Sequence, residues 1–293
     1  MKTVRTPVLE IAYLESGPPD GPAVILLHGW PSDVYDYGAV APALAEAGFR
    51  VLVPWLRGFG PTRFLDAATP RSGQQAALGA DARDFMDALS IPQAILAGYD
   101  WGGRAACVVA ALWPERVSGL VAITGYAIQD IAAAAQPAPA EQEFRFWYQW
   151  YFETHRGRAG LTVNRADIAR LLWRLWSPNW EFDDATFQRT ARSFDNPDFV
   201  DVTIQSYRHR YGNAAGDPAY DALEARLAGQ PNITVPTIIL HGEADGVGPP
   251  GDSIPRDRLF TGGLERLLIP RAGHFLSREN PGEVVTAIVR LAA

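Results

Sequence analysis

Gly98-Tyr99-Asp100-Trp101-Gly102-Gly103 constrains this chain more than any other stretch. Ala94-Ile95-Leu96-Ala97 before it is a short apolar run suited to a buried strand, and the alanine-rich segment Arg104 to Trp113 after it is helix-prone. Asp100 therefore falls at a tight strand-to-helix turn. Such a turn strains its central residue and pushes the side chain out at the top of a sheet. The flanking glycines let neighbouring backbone approach with no Cβ in the way. The common form of this elbow carries serine; this one carries a carboxylate.

Strand and helix alternate through the rest of the first half. Val8 to Leu14 alternates apolar and polar residues and predicts an edge strand. Ala23 to Leu27 is a continuous apolar run, as in a strand buried on both faces, and ends at His28-Gly29-Trp30-Pro31. A helix is expected from Ser32 or Asp33 to Ala47, stopped by Gly48. Strands over Arg50–Val53, Gln93–Gly98 and Gly119–Thr124 and a helix over Gln74–Leu89 complete the pattern. Alternation of this kind predicts a parallel sheet covered by helices, with function at the carboxyl ends of its strands.

From Tyr126 to Asn232 the alternation stops. An alanine-proline stretch, Ala132 to Ala140, leads into helices expected over Glu141–His155, Ala166–Trp176, Asp184–Phe194 and Asp198–Tyr211. The first is dense in aromatics. The sheet resumes with Thr234–Leu240 and Glu265–Ile269, and the last helix covers Pro281–Leu291. The expected organisation is a core in two parts, 1–125 and 233–293, with a helical cap at 126–232.

Composition excludes several classes. A net charge of -7 argues against a nucleic-acid partner. No apolar run approaches the ~20 residues of a membrane span, and Met1 to Arg5 lacks a signal-peptide core. The single cysteine, Cys107, reads as a buried thiol, and a cytoplasmic monomer or homodimer is expected. No His/Cys/Asp cluster has metal-ligand spacing, so neither metal nor cofactor is expected.

Asp100, Asp245 and His274 stand at predicted strand ends in the order nucleophile, acid, histidine. A carboxylate is ionised at neutral pH and needs no base to attack. It suits displacement at an sp3 carbon bearing a strained or good leaving group, giving an alkyl ester that an activated water then breaks. Asp130 is an alternative third member. His28, His241, His155 and His209 compete less well with His274: the first two read as structural and the others as surface residues.

With H-G-W-P, G-Y-D-W-G-G, H-G-E-A-D and A-G-H-F in this order, nearly the whole chain resembles the α/β-hydrolase superfamily. The resemblance implies an eight-stranded, mostly parallel sheet with a helical cap after strand six. It implies backbone N–H groups of Trp30 and Trp101 as the oxyanion hole, Asp245 orienting His274, and His274 activating water. Asp100-Trp101-Gly102 is similar to both epoxide hydrolases and haloalkane dehalogenases. Dehalogenases usually carry asparagine where Trp30 stands. Tyr148-Gln149-Trp150-Tyr151-Phe152 resembles the Y-Q-x-Y-F stretch of mammalian soluble epoxide hydrolase, and Ser206-Tyr207-Arg208 its W-Y-R stretch. Tyr148 and Tyr207 are thereby implied as acids on the epoxide oxygen. His28, Gln149 and Tyr151 are candidate substrate contacts; the alternatives are packing under the oxyanion motif for His28, a solvent-facing place for Gln149, and packing in the cap or an exchange of roles with Tyr148 for Tyr151. Fluoroacetate dehalogenases carry arginine directly after the aspartate; Trp101 and Tyr148-Gln149 here speak against a small acidic substrate. Arg104 is within reach of the site, but a helix arginine more often forms a surface or structural pair. The expected substrate is a small apolar or aryl epoxide, opened with water. A dehalogenase and a non-catalytic ligand-binding member are the alternatives.

Overall fold

The computed structural model describes residues 1–293. Strands β1 (Lys2–Arg5), β2 (Leu9–Ser16), β3 (Ala23–Leu27), β4 (Arg50–Pro54), β5 (Arg63–Phe64), β6 (Ala94–Gly98), β7 (Val117–Ile123), β8 (Thr237–Gly242) and β9 (Leu264–Ile269) form one sheet. Eight follow the order β1-β2-β4-β3-β6-β7-β8-β9, and the two-residue β5 pairs with β2. β1, β2 and β5 pair antiparallel, and all pairs from β4 to β9 are parallel. β2 is thus not the edge. That place is taken by β1, whose mostly exposed Lys-Thr-Val-Arg sequence carries no apolar signal.

The central strands are buried throughout, which is why Val24, Ile25 and Leu26, or Ile238 to Leu240, run apolar without alternation. Helices α1 (Val40–Glu46), α2 (Gln75–Ala88), α3 (Asp100–Leu112) and α12 (Pro281–Ala292) cover the sheet, packed as α2 on α3 and α1 on α12. The helix expected from residue 32 begins as a 3-10 turn, Val34–Tyr37, and α1 starts only at Val40. The Asp33 side chain caps that turn by accepting from the Tyr35 N–H, which fixes the chain direction early.

Between β7 and β8 lie α4 (Ala140–Arg145), α5 (Trp147–Glu153), α6 (His155–Trp176), α7 (Asp184–Ala191), α8 (Phe199–Arg210) and α9 (Asp221–Ala228). The expected helix over 141–155 is broken at Phe146, and the one over 166–176 extends back to His155 with a kink at Asn164. One continuous apolar cluster joins Leu96 and Val121 of the sheet to Leu172, Trp173 and Phe187 of these helices, so the helical layer and the sheet share a core. The remaining short helices are α10 (Pro250–Ser253) and α11 (Leu276–Glu279). No helix is long and apolar enough to cross a membrane.

Candidate active site

The site is assembled where β3, β6, β8 and β9 end. Asp100 opens α3 with φ +50, a left-handed conformation that costs an L-residue roughly 1–2 kcal/mol. Close backbone packing holds it there. A Cβ at Gly102 would lie 2.0 Å from the Leu27 carbonyl oxygen, and one at Gly98 would lie 2.6 Å from the Gly102 backbone. The close approach of β3 therefore demands glycine at 102, and the first turn of α3 demands it at 98.

The Trp30 N–H donates to Asp100 Oδ1 at 2.8 Å, while Oδ2 accepts no hydrogen bond from the protein. One carboxylate oxygen is thus held in the place an oxyanion would take, and the other is free. The Trp101 N–H lies in the first turn of α3, where no carbonyl four residues back closes a helical bond.

His274 Nδ1 lies 2.8 Å from Asp245 Oδ2, and its Nε2 is buried with no partner. Asp245 Oδ1 accepts from the N–H groups of Val247 and Gly248, both at 2.9 Å. Burial pulls the imidazole pKa down, but the Asp245 charge and hydrogen bond outweigh it and leave His274 above its ordinary value. Burial pushes the Asp245 carboxyl up, yet His274 and the two amides hold it below the usual range. The Trp176 carbonyl accepts from the N–H groups of both Gly246 (3.0 Å) and His274 (3.1 Å), so one carbonyl of the helical layer fixes both loops. Trp176 also packs its ring against His274 at 5.1 Å. The sequence marks this tryptophan only as the end of the expected helix Ala166–Trp176.

Two buried tyrosines cover Trp30. Tyr148 stacks on it at 5.6 Å and Tyr207 meets it edge-on at 5.2 Å, with the two tyrosine rings 5.4 Å apart. Burial raises both hydroxyl pKa values, and the Asp100 charge adds to the rise. Both therefore stay protonated across neutral pH. The Tyr148 hydroxyl accepts from Gln149 Nε2 at 2.8 Å; the Tyr207 hydroxyl is buried without a partner. Trp30 Nε1 is engaged with Thr203 Oγ1 at 3.1 Å.

The three candidate substrate contacts each meet other protein groups. His28 accepts from the Leu56 N–H at Nε2 and has Nδ1 3.0 Å from the Gly29 carbonyl, so neither nitrogen is left for a ligand. Burial lowers its pKa to about 4, and it is a neutral strut under the oxyanion loop. Gln149 is buried and bridges: its Oε1 accepts from Arg210 (3.0 Å) and Tyr211 (2.7 Å) while its amide N–H holds Tyr148. The Tyr151 hydroxyl lies against Gly160 of α6, and its ring packs on Trp147 and Phe152. Asp130 caps its own loop through the Ala133 N–H, and His241 is tied to the Gly248 carbonyl. Cys107 is buried, as expected.

Asp36 carries no signal in the sequence that marks it as functional. It is fully buried and accepts from Ser32 Oγ, from the Tyr99 hydroxyl at 2.6 Å and from Arg278 Nε at 2.5 Å. Those partners follow the H-G-W-P loop, precede Asp100, and follow His274, so one carboxylate ties three functional loops together. Asp36→Ala leaves Arg278 buried without this partner and should destabilise the fold by about 3–5 kcal/mol, read by denaturant unfolding.

Residues 22–281 match the family described as alpha/beta hydrolase fold, and the chain belongs to that family. It is a hydrolase of the epoxide hydrolase and haloalkane dehalogenase-like kind. It is similar to Epoxide hydrolase A of Mycobacterium tuberculosis, at 28% identity over 98% of this chain and 95% of the relative. It is similar as well to Haloalkane dehalogenase of Psychrobacter cryohalolentis, at 28% over 96% and 86%. A crystal structure named a "putative epoxide hydrolase", from Klebsiella pneumoniae subsp. pneumoniae, is 49% identical, with a TM-score of 0.96 over 99% of this chain and 96% of that one.

Proposed function

We propose that the protein opens an epoxide to a vicinal diol through a covalent ester on Asp100. The observation that carries this reading is the pair of protonated, buried tyrosines packed on Trp30, whose amide holds Asp100 Oδ1. An epoxide oxygen leaves as an alkoxide and needs a proton at once. A halide needs none.

In the first step Asp100 Oδ2 attacks a ring carbon. The ring C–O bond breaks, and the oxygen takes a proton from Tyr148 or Tyr207. In the second, His274 Nε2 removes a proton from water, and the resulting hydroxide adds to the ester carbonyl carbon. The Trp30 and Trp101 N–H groups hold the oxyanion, a contribution of roughly 3–4 kcal/mol per donor. Collapse breaks the acyl C–O bond, and the proton of the added hydroxyl passes to the departing alkoxide, which releases the diol and leaves Asp100 as a carboxylate. The His274 proton returns to the tyrosinate through solvent. Residues 126–232 act as the cap that closes over the substrate. The reading calls for no cofactor, and the buried Cys107 thiol suits a reducing cytoplasm.

Tyr148→Phe and Tyr207→Phe should each lower kcat for an epoxide, and the double variant by roughly 10²–10⁴-fold, the usual worth of a general acid. Turnover with a good leaving group should change little, so the two rates measured side by side check the assignment. Water activation needs neutral His274. Its raised pKa means that activity climbs as pH rises through a midpoint above 6.5 and is lost below it. Asp245→Asn removes the group that raises that pKa, so the acid limb of a pH–rate profile should move to lower pH while kcat falls.

The dehalogenase reading has one observation in its favour: Trp101 Nε1 is a buried donor with no partner, beside Asp100 in sequence. Diol formation from a panel of aryl and alkyl epoxides, against halide release from haloalkanes and haloacids with Asp100→Ala as control, decides. Halide release without diol formation would overturn the proposal.

A further inference from the structure

Arg104 is neither a surface residue nor half of an ion pair. It lies one turn after Asp100 on α3, about 6 Å along the helix axis, and is 6% exposed. Its Nε and Nη1 find no hydrogen-bond partner, and no carboxylate pairs with it. A desolvated guanidinium without an anion is among the costliest groups to bury. Burial and the neighbouring Arg210 charge pull its pKa down to about 10, against the upward pull of Asp100.

The side chain lines a cavity of about 810 Å³ that also meets Arg210 and Arg256. Arg210 donates to Gln149 Oε1 and, with the Gln129 amide turned to face it, to Gln129 at 3.1 Å. Arg256 donates to the Ile128 carbonyl (3.1 Å) and to Gln230 (3.3 Å). None of these acceptors carries charge. The two acids on the lining are engaged by their own loops: Asp130 by the Ala133 N–H, Glu143 by the Ala138 N–H at 2.7 Å. Three cations against two anions leave one net positive charge. The methyl-rich segment Ala133-Ala134-Ala135 also lines the cavity.

Asp100, Tyr148, Tyr207 and His274 are not on this lining; the cavity lies beside the reaction centre. Arg210 joins the two. It stands 4.9 Å from the Tyr207 ring and reaches the Tyr148 hydroxyl through Gln149.

We propose that this cavity is a carboxylate subsite in which Arg104, with Arg210, takes the anionic end of an epoxy acid whose apolar chain lies along the alanine segment. The inference rests on the epoxide hydrolase reading for the other end of the ligand. A guanidinium fork matches a planar carboxylate, and one net charge matches a monoanion. The acid is thus read one turn beyond Trp101, from a helix position whose local pattern carries no sign of an anion site.

The test is a chain-length series of terminal epoxides ending in a carboxylate, each beside its methyl ester, with styrene oxide as neutral reference. At the best length the acid should exceed the ester in kcat/KM by about tenfold or more. Arg104→Met should bring that ratio to about one; because it is a ratio, general damage to the variant cancels. Calorimetry of hexanoate on the unmodified enzyme should show binding that hexanol lacks, and it requires no variant. Styrene oxide turned over with an acid-to-ester ratio at or below one, and no hexanoate binding, overturns the subsite and leaves the epoxide reading intact. All epoxides inert while hexanoate binds through Arg104 supports the subsite and sinks the epoxide reading.

Discussion

His274→Gln should stop the reaction at the ester. The first step needs only the ionised Asp100 and a tyrosine proton, neither of which His274 supplies. The second needs a base at Nε2, and that atom is the buried, unpartnered nitrogen aimed away from Asp245. Glutamine fills much of the imidazole's volume but takes up no proton. Turnover should fall by about 10⁴-fold, the scale seen when a comparable histidine system is disabled. Intact mass spectrometry should show the protein heavier by the whole mass of the epoxide, because ring opening is an addition. A haloalkane would add its mass less the halide and one proton, so the same spectrum separates the chemistries. Free enzyme alone, with turnover lost, would mean that His274 acts before the ester forms.

Asp100→Ala should remove the first step. No other carboxylate stands at the elbow, and the Trp30 N–H would lose its acceptor. Turnover should drop at least about 10⁴-fold, with no mass adduct on any substrate. Alanine at φ +50 carries a steric cost of about 1 kcal/mol. The melting temperature should therefore shift modestly and not collapse. An adduct on this variant would place the nucleophile elsewhere.

Asp100, Asp245 and His274 are legible because each sits within a few residues of a strand end, where local pattern and chain order suffice. The parallel sheet is legible for the same reason: apolar runs buried on both faces announce themselves. Asp36 is not. Its partners Tyr99 and Arg278 are 63 and 242 residues away, and no spacing encodes that meeting. Nor is the Trp176 carbonyl, since a backbone acceptor has no signature. The break at Phe146 has neither proline nor glycine to mark it, so no residue in the sequence announces it. Arg104 looks like an ordinary helix arginine in sequence because its burial without a partner is set by tertiary packing, which no local spacing encodes. His28 and Gln149 fall in the expected neighbourhood, but each spends its polar atoms on positioning other groups, which local pattern does not encode.

Covalent attack by Asp100 is the central claim, and a single turnover in water enriched in ¹⁸O tests it most directly. With enzyme in excess over epoxide, the first diol should carry unlabelled oxygen taken from Asp100, and the label should appear in the Asp100 carboxylate of the recovered protein. Label in the diol from the first turnover, with none in Asp100, would contradict the account.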